Sequence, residues 1–170
     1  MAKPAPWYFN AARRTLLAAF PRLARPDDGW ATTLLEGGEA QLFLRLPPTE
    51  RLHGIEVARR LLARTPTAEP VLVRAALLHD VGKLGTPHFF LWRVLTHLLP
   101  EAQVSAEPRR AGLAGARQAR VHHPGYGAAL IRLAGGAEEV ARLVERHHDE
   151  LDAANPRSDL ALLKAADERT

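Results

Sequence analysis

The chain has no cysteine. That excludes disulfides and thiolate-bound zinc, and leaves histidine, aspartate and glutamate as its strong metal ligands. Aromatic residues make up only 6%, and valine, isoleucine and threonine are sparse, so little in the pattern favours strands. Lysine is scarcer still: of 23 basic side chains only Lys3, Lys83 and Lys164 are lysines. No long apolar run occurs. The most apolar late stretch, "FFLWRVLTHLL" (89–99), is short and carries Arg93 and His97, whereas a membrane span needs about 20 apolar residues. The opening "MAKPAPWYFN" lacks the charged start and apolar stretch of a secretion signal. These absences predict a soluble, cytoplasmic protein with no membrane partner.

What is present has an ordinary globular balance. The 170 residues are 46% hydrophobic and 25% charged, enough for one domain with a substantial core. Formal charge is +4. Arginine binds phosphate bidentately, so this basic balance suits a nucleotide or nucleic-acid partner. Coding bias is the better explanation, because the arginines are scattered rather than blocked. A nucleic-acid-binding role is a weak alternative, since it leaves the histidines without an explanation.

Alanine, leucine, arginine and glutamate dominate, and breaks at "RPDDG", "EGGE", "LPPTE", "TPTAEP", "LPEAQVSAEP", "HHPGYG", "AGG" and "AANPRSD" separate segments of helical length. The expectation is an all-α domain over 46–170, with residues 1–45 as a helical extension built from "YFNAARRTLLAAF" and "GWATTLLEGG". Thr49 is the expected N-cap of a helix to Arg64, with Leu52, Ile55, Ala58 and Leu62 inward and Glu56, Arg59, Arg60 and Arg64 opposite. Pro70–His79 is apolar nearly all round and therefore central. Val140, Leu143, Val144, His147 and Leu151 form an apolar stripe that carries His147 inward. Ser158 caps a last helix in which Leu160, Leu163 and Asp167 share a face.

Any one of the histidines, alone, reads as a structural or surface residue. Lys83 beside Gly82 can simply complement a helix C-terminus, and Gly127 can be a plain turn residue. The set reads differently. His53, His79–Asp80, His122–His123, His147–His148 and Asp167 fall in five segments, and His79–Asp80, His147 and Asp167 sit where the apolar pattern points inward. Imidazole with carboxylate suits Mn, Fe, Zn, Ni or Co. So many ligands exceed the need of one ion, and a shared carboxylate makes two divalent ions the economical reading.

In order along the chain, "RLHGIEVARRLL", "ALLHDVGK", "HHPGYGAALI", "RHHDE" and "KAADERT" resemble the HD-domain metal-dependent phosphohydrolases, in the manner of their two-metal branches, from about Leu46 to Asp167. The resemblance implies an HD-type helical bundle in which His53, His79, Asp80 and Asp167 bind one ion. Asp80 then bridges to a second ion held by His123 and by His147, His148 or both. Lys83 looks like the lysine that contacts the bridging water or the substrate phosphate. His122 has no counterpart. Two departures matter: "HHDELDAANPRSD" lacks the Gly-Tyr-Pro segment of the HD-GYP branch, and the acidic ligand that some members carry four residues before the first histidine falls at Thr49, which implies two ions and not three.

The implied activity is hydrolysis of a phosphomono- or phosphodiester in a nucleotide or other phosphorylated small molecule, by a metal-bridged hydroxide. Arg146, Arg120 and Arg51 are candidate phosphate contacts, Arg146 foremost. The alternative is an inactive metal-binding regulatory or scaffold protein of the same fold. Oligomeric state is not legible.

Overall fold

The computed structural model describes residues 20–85, 104–151, 155 and 158–168. Among them are seven α-helices and no strand: α1 (Asp28–Leu34), α2 (Gly38–Leu44), α3 (Pro48–Arg64), α4 (Pro70–Leu78), α5 (Gly112–Leu133), α6 (Glu138–Arg146) and α7 (Asp159–Asp167). Short 3-10 turns lie at Pro21–Leu23 and Val81–Lys83. Residues 8–19 of the first expected helix and the apolar stretch 89–99 lie outside the described residues.

The helix starts follow local chemistry. Asp27 caps α1 by accepting a hydrogen bond from Trp30 N at 3.1 Å. Ser158 caps α7, accepting from Ala161 N. In α3 the expected Thr49 cap gives way to Pro47 at the cap position and Pro48 inside the first turn. Proline suits this place because its fixed φ is helical and its missing N–H has no helical partner there. The buried face of α3 is also rotated from expectation: Gly54, Ile55, Val57, Ala58 and Leu61 are buried, whereas Leu52 and Leu62 are only partly covered.

The break expected at "HHPGYG" does not occur. Pro124 and its neighbours lie inside the 22-residue α5. Proline removes one backbone bond, but α5 is held along its length by α6, by α2 and by the Val81–Lys83 turn. Tertiary packing thus overrides a local breaker.

Helix α4 is the centre of the core. Leu72, Val73 and every residue from Ala75 to Leu78 are buried, against α3, α6, α7 and α1. Ala31, Leu42, Phe43 and Leu46 join the same core from the N-terminal side, with Ile131, Val140, Val144 and Leu163 from the other. Each fully buried Leu, Ile or Phe contributes about 1.5–3 kcal/mol relative to exposure. Arg74 is the polar exception on α4. Its guanidinium bonds Glu39 through Nε at 2.8 Å and Nη2 at 2.7 Å, so a two-pronged buried ion pair ties α2 to α4. No helix among the described residues is long and apolar enough to cross a membrane.

Candidate metal centre

Five elements converge at one end of α4. His79 is the residue after α4 and Asp80 precedes the Val81–Lys83 turn; His53 comes from α3 and His123 from α5. His147 and His148 follow α6, and Asp167 ends α7. The turn can lie this close to α5 because Gly82 has no side chain. A Cβ built there would sit 1.9 Å from His123 O and 2.6 Å from Gly127 N. Gly82 and Gly127 are therefore contact glycines, and their contact holds the His79–Asp80 pair against the His123 helix.

The polar atoms form two groups of potential ligands, His53–His79–Asp80 and His123–His147–His148. His53 Nε2 lies 3.1 Å from Asp167 Oδ1 and 3.7 Å from Asp80 Oδ2. His79 Nε2 is 3.5 Å from Asp80 Oδ2 and 3.6 Å from Asp167 Oδ1. The other Asp80 oxygen, Oδ1, faces His123 Nε2 at 3.3 Å. His123 Nε2 in turn lies 3.2 Å from His147 Nε2. The His148 ring stands 4.7 Å from that of His123 and 4.3 Å from that of His147, centroid to centroid. Asp80 thus offers one oxygen to each group.

Backbone carbonyls set the tautomers. His79 Nδ1 donates to Ala76 O at 2.9 Å, His123 Nδ1 to Ala119 O at 2.9 Å, and His147 Nδ1 to Val144 O at 2.6 Å. Each ring therefore turns its Nε2 into the site, as outer-shell carbonyls do for metal-bound histidines. The Nε2 of His79 is buried with no hydrogen-bond partner. An orphaned buried ring nitrogen is costly, and a divalent cation would satisfy its lone pair when the ring is neutral. These residues fit a metal, and the nitrogen-plus-carboxylate donor set suits Mn, Fe, Zn, Ni or Co.

Charge runs the same way. Burial works against ionising Asp80, but the Lys83 ammonium, then His79, His123 and His53, outweigh it and hold the carboxyl well below its usual range. Burial likewise opposes ionised Asp167, and the His53 hydrogen bond and His79 overcome it. Burial, followed by repulsion from His79, pushes His147 down to about 3. His148 is lowered by burial and by His123. Neutral imidazoles and ionised carboxylates are the forms that bind metal.

Lys83 borders the centre, its Nζ 2.5 Å from Asp80 Oδ2. Arg146, Arg51 and His122 are engaged with other partners. Arg146 is exposed at the end of α6, where Nε donates to Asp149 Oδ2 at 3.0 Å. Arg51 is engaged with Asp28 Oδ1 at 2.9 Å and Leu46 O at 2.6 Å, and His122 donates from Nε2 to Val104 O. The sequence reading missed three contributors. Glu50, buried in the first turn of α3, approaches Lys83 Nζ to 3.8 Å; its place one turn before His53 was the available signal. Arg60 and Arg64, assigned to the face away from the core, donate to Ala166 O at 2.9 Å and Ala165 O at 3.2 Å beside Asp167. Backbone acceptors so distant in the chain leave no sequence signal.

Comparison with curated proteins and with solved structures gives no match. A family model described as HD domain matches residues 52–170, a span that takes in His53, His79, Asp80, His123, His147, His148 and Asp167. The chain belongs to the HD-domain family, within the superfamily of metal-dependent phosphohydrolases.

Proposed function

We propose that this protein hydrolyses a phosphoester in a nucleotide or another phosphorylated small molecule, using two divalent transition-metal ions. The observation that carries the reading is the division of Asp80, with Oδ2 toward His53 and His79 and Oδ1 toward His123. His53, His79, Asp80 and Asp167 would hold one ion. Asp80, His123, His147 and His148 would hold the other.

Bound ions would supply charge neutralisation on the phosphoryl oxygens and a water acidic enough to ionise near neutral pH. The chain supplies the rest. Carbonyl-anchored rings keep their donor atoms aimed without reorganisation. Lys83, partly exposed at the edge, places an ammonium where a phosphate oxygen can be oriented. Sequestration of His79, Asp80, His123 and His147 from solvent strengthens each electrostatic contact. The same reading takes the protein to be cytoplasmic and its substrate to be small.

The test is elemental analysis of protein purified without chelator, followed by assay on p-nitrophenyl phosphate, bis-p-nitrophenyl phosphate and a nucleotide panel. The expected result is about two equivalents of a first-row metal and turnover of at least one compound, both lost in Asp80→Ala. Metal without turnover on any phosphoester would favour a regulatory protein of the same fold. An Asp80→Ala variant with full activity would remove the reading.

A further inference from the structure

Lys83 lies near two buried carboxylates, and only one of them belongs to the ligand set. Its ammonium is 2.5 Å from Asp80 Oδ2 and 3.8 Å from Glu50 Oε2. That Asp80 oxygen is the one facing His53 and His79, so it is where a metal ion at the first site would draw its carboxylate. Lys83 therefore contends with the ion for one oxygen. A compact ammonium makes a strong charge-assisted bond to a carboxylate, and it repels a divalent cation placed beside it.

Glu50 is the second carboxylate near the ammonium, at 3.8 Å. It is 5% exposed, and a buried carboxylate is costly without a cationic or hydrogen-bonding partner. It lies on α3 three residues before His53, so the helix that delivers a ligand also delivers this counter-charge. The proposed mechanism gives Glu50 no task.

We propose that Glu50 is a positioning residue that draws the Lys83 ammonium away from Asp80, and so lets Asp80 be shared with the metal while Lys83 stays charged at the edge of the site. This inference rests on Asp80 being a metal ligand. Glu50 acts through Lys83 and not as a ligand, which makes a definite demand: its effect on metal binding must vanish when Lys83 is gone.

The experiment is a Co²⁺ titration of the chelator-treated full-length protein, followed by visible absorption, for wild type, Glu50→Gln, Lys83→Met and the double variant. No substrate is needed. Glu50→Gln is expected to weaken Co²⁺ affinity at the first site about tenfold, the size typical of losing an outer-shell partner. Lys83→Met is expected to tighten it, since a competing cation is removed. In the Lys83→Met background, Glu50→Gln should change affinity less than about twofold; Lys83→Gln replaces Lys83→Met if the latter folds poorly. A tenfold loss that persists without Lys83 would mean that Glu50 acts on the ion directly, and the inference falls. Unchanged affinity in Glu50→Gln overturns it too. Absence of Co²⁺ uptake by the wild type, or uptake that survives Asp80→Ala, overturns the metal-centre reading itself and this inference with it.

Discussion

His123 and His147 turn their Nε2 atoms toward each other across 3.2 Å, while each gives its Nδ1 hydrogen to a carbonyl of its own helix, Ala119 O and Val144 O respectively. With no extra proton between them, rings so anchored bring lone pair against lone pair in a buried place. A proton or a cation relieves the clash. His147 is held neutral chiefly by burial, so a metal that takes both lone pairs is the stronger remedy. Much of the metal-free cost of this centre is concentrated in that pair.

Replacing His147 by leucine, of similar volume, should therefore separate binding from folding. Metal content is expected to fall from about two equivalents to about one. The metal-free protein should gain roughly 1 kcal/mol, a rise of about 2–4 °C in Tm for a chain of this size. Elemental analysis and a thermal melt of chelator-treated protein check both halves. A variant that still binds two ions would place His148 alone in the ligand role. A lower metal-free Tm would contradict the strain argument.

Acid should weaken the metal-free fold. Asp80 and Asp167 are held below the ordinary carboxylate range, mainly by Lys83 and His79 for the first and by His53 for the second, against the opposing effect of burial. His147 is lowered to about 3 from an unfolded value near 6.5. In every case the unfolded chain binds more protons than the folded one, so stability falls as pH falls. The His147 share is complete above about 6.5 and is lost on the way down toward 3. The carboxylate share is lost only below about 4. Denaturant midpoints of chelator-treated protein at pH 7, 5.5 and 4.5 should decline, by at most about 1.4 kcal/mol per pH unit for His147. His147→Leu should flatten that interval, and a wild type already flat there would refute the assignment.

Gly82, at the crossing, and Gly125, away from it, make opposite predictions. Gly82→Ala drives a Cβ to 1.9 Å from His123 O, so the turn must move off α5. The cost should reach about 3 kcal/mol or more, roughly 6–12 °C in Tm, and the spacing between Asp80 and His123 should be lost with it. Gly125, inside α5, has nothing within 4 Å of its built Cβ. Gly125→Ala should stabilise by about 0.5–1 kcal/mol through higher helix propensity, with metal content unchanged. Equal effects from the two substitutions would contradict the crossing geometry.

How much of this was legible beforehand depends on the kind of signal. His79, Asp80, His147 and Asp167 stood out because ligand-type side chains fall on inward faces, His53, His123 and His148 because the ordered segments resemble the HD-domain pattern, and the all-α fold followed from helix formers and punctuation. Pro124 misled, because a local breaker says nothing about the neighbours that hold α5 together. Arg74 was hidden within an apolar helix, its partner Glu39 far away in sequence. Leu52 and Leu62 were misplaced because periodicity fixes a stripe's width only loosely, and the contact with α4 selects Val57 and Leu61 instead. Contacts of side chains with remote backbone, such as those of Arg60 and Arg64, have no one-dimensional trace at all.

That last pair explains how Asp167, at the end of α7, can serve as a ligand. The final carbonyls of a helix have no partners within it, and an unheld last turn frays. Here Arg60 donates to Ala166 O and Arg64 to Ala165 O, while Lys164 donates to Asp149 O and ties the same helix to the segment after α6. Helix α3 thus presents His53 to the site and holds, two to three turns later, the helix end that presents Asp167. Arg60→Ala with Arg64→Ala should loosen Asp167 and lower metal affinity at the first site by about 10–100-fold, as loss of an outer-shell support does. The second site, built on α5 and α6, should keep its affinity. Stepwise Co²⁺ titration reads the two sites separately, and amide exchange over α7 should quicken in the same variant. If both steps keep their wild-type affinities while α7 exchanges faster, Asp167 contributes nothing to binding and the first ion depends on His53, His79 and Asp80 alone.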